Sequence, residues 1–522
     1  MIFRSPLADI EIPNVPLPQL LFGDVSAHAA KPALIDGPTG RTLTYGQLAG
    51  AIRLVASSLA ARGFRKGDVF AIYSPNLPEY AVAFHAVATL GGINTTVNPL
   101  YTPHELAHQL KDAGAKYLLT IPQFLPNAQA AAAEAGGIEE IFVFGEAEGA
   151  TPFASLLRSD GQLPPVAIDP QKDLVVLPYS SGTTGLPKGV MLTHHNLVAN
   201  ICQCSGADFD RGLEIRPDDV LLGLLPFFHI YGMVVVMSWA LYQRATVVTM
   251  PRFDMEQFLN LAQSHRLSYA HLVPPIVLGL AKHPLVDKFD LSNLRAIVSG
   301  AAPLSGELEA AVKARLGVEV TQGYGMTESS PVTHFCFRLP AGKLKPGSVG
   351  QVVPNTLARI VDPVTREEFG AGQEGELWVK GPQVMQGYLN NPQATANTVD
   401  RDGWLHTGDI AVADEDGYFW IVDRLKELIK YKGYQVAPAE LEALLLTHPA
   451  VADAAVIGLP DDEAGELPKA FVVRKGDVSE DEILAFVADQ VAPYKRIRFV
   501  EFIDAVPKSA SGKILRRVLK GQ

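Results

Sequence analysis

Apolar residues recur along the chain with two periods. Leu48, Ile52, Val55 and Leu59 fall on one face of a helix that Gly63 ends. Thr102-Pro103-His104-Glu105 is a helix start: Thr102 caps, Pro103 suits the first turn, and Glu105 completes a capping box. Short buried strands are predicted at 69–73, 117–121, 141–144, 174–179, 245–250 and 294–299, with helical segments between most of them. Such alternation predicts mostly parallel sheets covered by helices. After about residue 343, glycine, proline and short strands dominate to about residue 422, which predicts a β-rich subdomain. Asp423-Arg424-Leu425-Lys426 is a charged break. Beyond it, a helix at 438–448, strands at 454–458 and 469–473, and a helix at 480–491 predict a separate α+β domain. The fold class is therefore α/β: a large N-terminal domain over 1–423 with its β-rich part at 343–422, a junction at 424–426, and a small α+β domain over 427–522.

The stretch 220–242 is apolar and long enough to cross a bilayer. Pro226, His229 and Gly232 interrupt it, and basic flanks are missing. It reads instead as a buried strand at 220–225, a loop at 227–232, and a buried helix to about Gln243. With 522 residues, 48% of them hydrophobic, the chain exceeds one compact core. Its net charge of −12 and lack of a long basic run argue against nucleic-acid binding. Three cysteines form no disulfide framework and fit a reducing compartment, so a cytoplasmic location is expected. Cys202-x-Cys204 lacks zinc half-site spacing, and neither a signal peptide nor a peroxisomal address is expected.

Four segments carry chemistry. Ser180-Ser181-Gly182-Thr183-Thr184-Gly185-Leu186-Pro187-Lys188-Gly189 follows an apolar strand. Its glycines let backbone N–H groups turn around an anion, and its hydroxyls and Lys188 add donors, as a triphosphate needs. The nucleotide P-loop pattern fails, because Pro187 precedes the lysine and Gly189 follows it. A P-loop kinase or ATPase is thereby disfavoured. Gln322-Gly323-Tyr324-Gly325-Met326-Thr327-Glu328 offers close backbone approach, a ring for stacking, and a carboxylate for phosphate-bound Mg²⁺. A plain turn with a solvated glutamate fits it equally well. Thr407-Gly408-Asp409 with Arg424 can hold ribose hydroxyls and a phosphate, or can be a turn and a surface ion pair. The basic run from Pro507 to Arg517 holds Lys513 in a loop near the chain end.

In this order, and over nearly the whole chain, these segments resemble the adenylate-forming superfamily of acyl- and aryl-CoA ligases, luciferases and peptide-synthetase adenylation domains. Leu225-Pro226-Phe227-Phe228-His229-Ile230-Tyr231 and Ser299-Gly300-Ala301-Ala302-Pro303-Leu304 resemble the 4-coumarate–CoA ligase branch. Gly375-Glu376-Leu377-Trp378-Val379-Lys380-Gly381 departs from the plant box G-E-I-C-I-R-G. The resemblance implies an acid–thiol ligase of phenylpropanoid or fatty acid metabolism. It would use ATP, Mg²⁺ and coenzyme A to form an acyl-AMP and then an acyl-CoA. The acid is expected to be of the 4-coumarate or cinnamate type. A medium- or long-chain fatty acid, or a sibling reaction without coenzyme A, is the alternative.

The resemblance also implies roles for individual residues. Ser180, Ser181, Gly182, Thr183, Thr184, Gly185 and Lys188 would hold the β- and γ-phosphates, with Thr184 and Glu328 on the metal. Gln322, Gly323, Tyr324 and Thr327 would frame adenine and the α-phosphate, and Asp409 and Arg424 the ribose. Lys513 would bridge the acid's carboxylate and the α-phosphate. A mobile C-terminal domain, hinged at Lys426, would then present Lys430 and Gln435 to AMP, and Lys432 and Gly433 to coenzyme A, with Arg252 as a further coenzyme A contact. The acyl pocket would comprise His229, Tyr231, Val234, His271, Val298, Gly300, Ala301, Gly325, Pro331, Val332 and Thr333. Apolar Val234 and Val298 would disfavour polyhydroxylated cinnamates.

Overall fold

The computed structural model describes residues 1–180, 187–205, 214–337, 344–432, 434–461, 463–509 and 512–521. Three sheets and a C-terminal unit carry the site. The first sheet has eight strands, in the order Gly387–Tyr388, Lys188–Thr193, Leu174–Ser180, Ile93–Thr96, Val69–Ile72, Ala115–Thr120, Glu140–Val143 and Thr151–Pro152. It is parallel from Leu174–Ser180 onward and antiparallel at its other end. The second has nine strands and runs from Gln351–Val352 to Thr42–Thr44. Its central strands, including Glu319–Gly325, Ala296–Ser299, Tyr269–Leu272 and Val220–Gly223, are parallel.

The helix Pro78–Thr89 packs against strands of both sheets and is buried from Tyr80 through Ala88. A helix apolar all round needs such a place. The predicted helix start at Thr102 is present as a capping box, with the Thr102 N–H donating to Glu105 Oε2 at 2.8 Å. Leu48, Ile52, Val55 and Leu59 are the buried face of the helix Tyr45–Ala61.

The apolar stretch is a strand at Val220–Gly223, then a helix whose turns from Tyr231 to Trp239 are π-helical and end as α-helix at Ala240–Tyr242. The helix starts before Gly232 rather than after it. A Cβ at Gly232 would lie 2.0 Å from the Pro226 carbonyl oxygen, so only glycine lets the first turn press on the loop. Ser238 Oγ donates back to the Met233 carbonyl at 2.8 Å, a five-residue reach that suits the wider turns. Among the described residues, no helix is long and apolar enough to cross a membrane.

The third sheet is antiparallel, with strands Phe3–Arg4, Leu357–Val361, Gly375–Lys380, Leu405–Ala413 and Phe419–Arg424. The region 343–422 is thus β-rich, but it is not closed on itself. Gln351–Val352 joins the second sheet and Gly387–Tyr388 the first. Asp423 and Arg424 end a strand instead of forming a break.

The C-terminal unit is a five-stranded sheet in which Val451–Asp461 and Gly465–Arg474 form a long hairpin, flanked by helices Pro438–Thr447 and Glu480–Ala488. Its apolar core is its own. A small cluster of Ile410, Leu428 and Ala437, with Val422 and Leu425 against it, joins this unit to the rest.

Asn76, buried after the strand Val69–Ile72, fixes the loop that leads to His229. Its Nδ2 donates to the carbonyls of Gly223 and Leu225 at 2.8 Å each, and its Oδ1 accepts from Phe227 N at 2.7 Å. Asn76→Leu removes three buried hydrogen bonds to this loop's backbone and is expected to cost about 3 kcal/mol, read as a lower urea midpoint.

Candidate active site

A cavity of about 500 Å³ lies beyond the carboxyl ends of the second sheet's parallel strands, where open α/β sheets receive ligands. Its lining divides by chemistry. Apolar and aromatic walls come from His229, Tyr231, Val235, Trp239, His271, Val298, Gly300, Ala301, Gly325, Pro331, Val332 and Phe335. Charged and polar walls come from Ser180, Lys188, Thr327, Glu328, Tyr388, Thr407, Gly408, Arg424, Lys426 and Lys513.

Each sheet delivers part of the polar side. The hairpin register sets Lys188 directly opposite Ser180. Ser181, Gly182, Thr183, Thr184 and Gly185 lie outside the described residues, as does Gly433. Gln322-Gly323-Tyr324-Gly325 is the end of a strand, not a turn. Glu328 is 5% exposed, not solvated, and its Oε1 accepts the Tyr388 hydroxyl at 2.8 Å. Asp409, also 5% exposed, accepts Tyr324 Oη at 2.5 Å on one oxygen and faces Arg424 Nε at 3.3 Å on the other. Burial raises its carboxyl, while Arg424 and the tyrosine hydroxyl pull it down.

Lys513 reaches the cavity from the C-terminal unit. Its N–H donates to Ser509 Oγ at 3.1 Å, and a Cβ at neighbouring Gly512 would touch Val273 at 3.3 Å. The loop therefore rests on the second sheet's edge of the site. Desolvation lowers the Lys513 ammonium from its ordinary value and Arg424 lowers it further, against the pull of Asp409, Glu328 and Glu427. Arg516, three residues on, pairs with Glu427 at 2.6 Å and Glu442 at 2.7 Å.

On the apolar side, His229 Nδ1 accepts from Tyr231 N at 3.3 Å, and burial pushes its imidazole down to about 3. His271 is likewise pushed down to about 3 by burial, so both rings are neutral near pH 7. The Tyr231 hydroxyl lies 3.3 Å from His271 Nδ1 and 3.3 Å from the Val298 carbonyl.

Several expected residues stand elsewhere. Val234 is buried in the core; the wide helical turns bring Tyr231, Val235 and Trp239, every fourth residue, to the cavity. Thr333 bonds His334 Nδ1 at 2.9 Å and does not line the cavity. Gln322 spends its amide on both backbone groups of Leu304, at 3.0 and 2.8 Å, so it braces the loop after Ser299 rather than framing a ligand. Asp409 stands behind Tyr324 and Arg424, not in the wall. Arg252, Lys430, Lys432 and Gln435 are exposed and away from the cavity. The sequence reading missed Tyr388, Val235, Trp239, Cys204 and Phe335. Fourfold spacing from Tyr231 was the signal for two of them; nothing local pointed to Tyr388.

A fold of two helix-covered sheets, an antiparallel sheet and a C-terminal unit that sends one lysine into the shared cleft is that of adenylate-forming enzymes. The chain belongs to the AMP-binding enzyme family, whose pattern matches residues 22–389, while that of the AMP-binding enzyme C-terminal domain matches 440–513. It is similar to 4-coumarate–CoA ligase 5 of Oryza sativa subsp. japonica, 46% identical over 100% of this chain and 97% of that relative. It is also similar to 4-coumarate–CoA ligase 1 of Solanum tuberosum, at 47% identity over 100% and 96%. Among solved structures, ATP-bound MatB from Rhodopseudomonas palustris matches with a TM-score of 0.87 at 31% identity, covering 98% of this chain and 99% of that one. The anthranilate–CoA ligase AuaEII with anthranoyl-AMP matches with a TM-score of 0.89 at 28% identity, over 98% of each chain.

Two neighbouring glycines test the site's geometry. A Cβ at Gly325 would lie 2.0 Å from the Pro331 carbonyl oxygen, whereas one at Gly323 would meet nothing closer than 3.5 Å. Gly325→Ala is expected to cost about 3 kcal/mol and to abolish calorimetric binding of an ATP analogue. Gly323→Ala should leave the thermal transition within a degree or two of the parent.

Proposed function

We propose that this chain activates a carboxylic acid of the 4-coumarate or cinnamate class with ATP, releasing pyrophosphate, and then transfers the acyl group from AMP to coenzyme A. The observation that carries the reading is the meeting of Lys513 with Arg424, Glu328 and Lys188 in one cavity whose other half is apolar. Family membership makes ATP and coenzyme A the co-substrates, and relatives named 4-coumarate–CoA ligase supply the acid class.

The chemistry follows from charge. The acid's carboxylate attacks the α-phosphorus, so two anions must approach and charge builds on the phosphorus oxygens. Lys513 and Arg424, partly withdrawn from solvent, oppose that charge. Lys188 and Ser180 take the outer phosphates, with Ser181, Gly182, Thr183, Thr184 and Gly185 assigned to the same task. Gly323, Tyr324 and Thr327 meet the base and α-phosphate. The ribose falls to Arg424, with Asp409 reached through its own lining partners. Glu328 fits a hard cation. One oxygen is held by Tyr388, and the other has no partner among the described residues. Mg²⁺ bound there would neutralise phosphate charge.

The second half-reaction needs a thiol where Lys513 stands. The unit 427–522, turning about 424–426 at Lys426, would withdraw Lys513 and bring in the hairpin Ile429–Tyr431/Tyr434–Val436, which carries Lys430, Lys432, Gly433 and Gln435. Arg252 stays with coenzyme A in this scheme, and His229 sits between acyl pocket and thiol. The likeness to MatB supports an arrangement suited to the first half-reaction: the TM-score is 0.87 against the ATP-bound form and 0.77 against the apo form. The three unpaired cysteines support a cytoplasmic setting.

Lys513→Ala is expected to cut acid-dependent pyrophosphate release about 100-fold or more. Thioester formation from synthetic acyl-adenylate and coenzyme A should stay within a few-fold of the parent. Equal loss of both would overturn the rotating unit. The acyl wall of Val235, Val298, Val332 and Phe335 offers a second hydroxyl no partner. Across cinnamate, 4-coumarate, caffeate and octanoate, caffeate is expected to fall about tenfold below the best acid in kcat/KM. A preference for caffeate would defeat this account of the pocket.

A further inference from the structure

Lys188 and Glu328 approach the cavity from different sheets, and one side chain touches both. The Tyr388 hydroxyl donates to Glu328 Oε1 at 2.8 Å, and the Lys188 ammonium stands over the Tyr388 ring, 4.3 Å from its centroid. Tyr388 is 5% exposed and is itself fixed. Its strand is registered on the first sheet, Tyr388 opposite Val190 and Gly387 opposite Met191. Its N–H donates to Thr395 Oγ1 at 2.9 Å. Gly387 has φ 148° and no room for a side chain, since a Cβ would lie 2.6 Å from Thr395 Cγ2. The same segment holds the backbone on either side: Met385 N donates to the Glu328 carbonyl at 2.9 Å, and Leu389 N to the Gly189 carbonyl at 2.8 Å.

We infer that Tyr388 is a positioning residue for the phosphate end of the site, setting the distance between the Glu328 carboxylate and the Lys188 ammonium before nucleotide arrives. The inference rests on the function proposed above. Two like elements would otherwise drift: a flexible lysine, and a carboxylate that could collapse onto the nearest cation and lose its place. A ring face attracts the ammonium without neutralising it, so Lys188 stays available to phosphate. A single hydroxyl donor fixes one carboxylate oxygen and leaves the other without a partner among the described residues.

The test compares Tyr388→Phe, which keeps the ring and loses the hydroxyl, with Tyr388→Leu, which loses both. Titration calorimetry with a non-hydrolysable ATP analogue is run with and without Mg²⁺. For Tyr388→Phe, the Mg²⁺ concentration giving half-maximal enhancement of analogue binding should rise about tenfold or more, with metal-free binding nearly unchanged. Tyr388→Leu should weaken metal-free binding as well, by about three-fold. In the background of Glu328→Gln, Tyr388→Phe should add no further loss in Mg²⁺ dependence. The thermal transition of Tyr388→Phe should match the parent. An unchanged Mg²⁺ requirement in Tyr388→Phe, or additive losses in the double variant, overturns the inference while leaving the ligase reading intact. If the parent itself neither binds the analogue nor releases pyrophosphate with any acid of the panel, the ligase reading fails first.

Discussion

The structure turns on holding opposite charges together in one half-buried cleft. Lys513 and Arg424 share the polar half of the cavity with Glu328, backed by Asp409 and Glu427. None would be stable there alone, because an ammonium or carboxylate loses hydration on burial. Removing one partner leaves the others uncompensated, yet the group as a whole gains little, since desolvation consumes most of the Coulomb attraction. A near balance of this kind suits the proposed scheme, in which the lysine is seated for the first half-reaction and withdrawn for the second. The small apolar cluster around Ile410, Leu428 and Ala437 is a correspondingly modest weld. Arg516 links Glu427, beside the junction, to Glu442 on the helix Pro438–Thr447, so the lysine loop and the start of the unit are tied as one piece.

The apolar half is shaped by clearance. Gly300 lies beneath the Tyr231 ring, where a Cβ would come within 2.8 Å of it, and Gly325 lies under the Pro331 carbonyl. The π-helical turns present an aromatic, an aliphatic and a second aromatic side chain along one stripe, Tyr231, Val235 and Trp239. His229 and His271 are kept neutral by burial, so neither ring adds a positive charge to the apolar half.

Local pattern made much of this legible. The helix at Tyr45–Ala61, the capping box at Thr102 and the parallel strands follow from spacing and cap chemistry that act within a few residues. Where the reading failed, the deciding contact was distant. Gln322 is claimed by Leu304, Val234 loses its place to Val235 because the helix widens, and Tyr388 enters the site only because a two-residue strand crosses back to the first sheet. Neither the Gln322 contact nor the position of Tyr388 is encoded in the residue's immediate neighbours. Lys513 was legible as a motif, but its seat beside Arg424 depends on how two separately cored units come to rest.

The cysteines have a practical consequence. Cys202, Cys204 and Cys336 are all buried, and burial raises each thiol above its ordinary range, leaving little thiolate to react. The natural chain is therefore a quiet background for maleimide chemistry. A single cysteine introduced on each unit could carry a donor and an acceptor dye, turning the proposed swing of the C-terminal sheet into a distance read one molecule at a time.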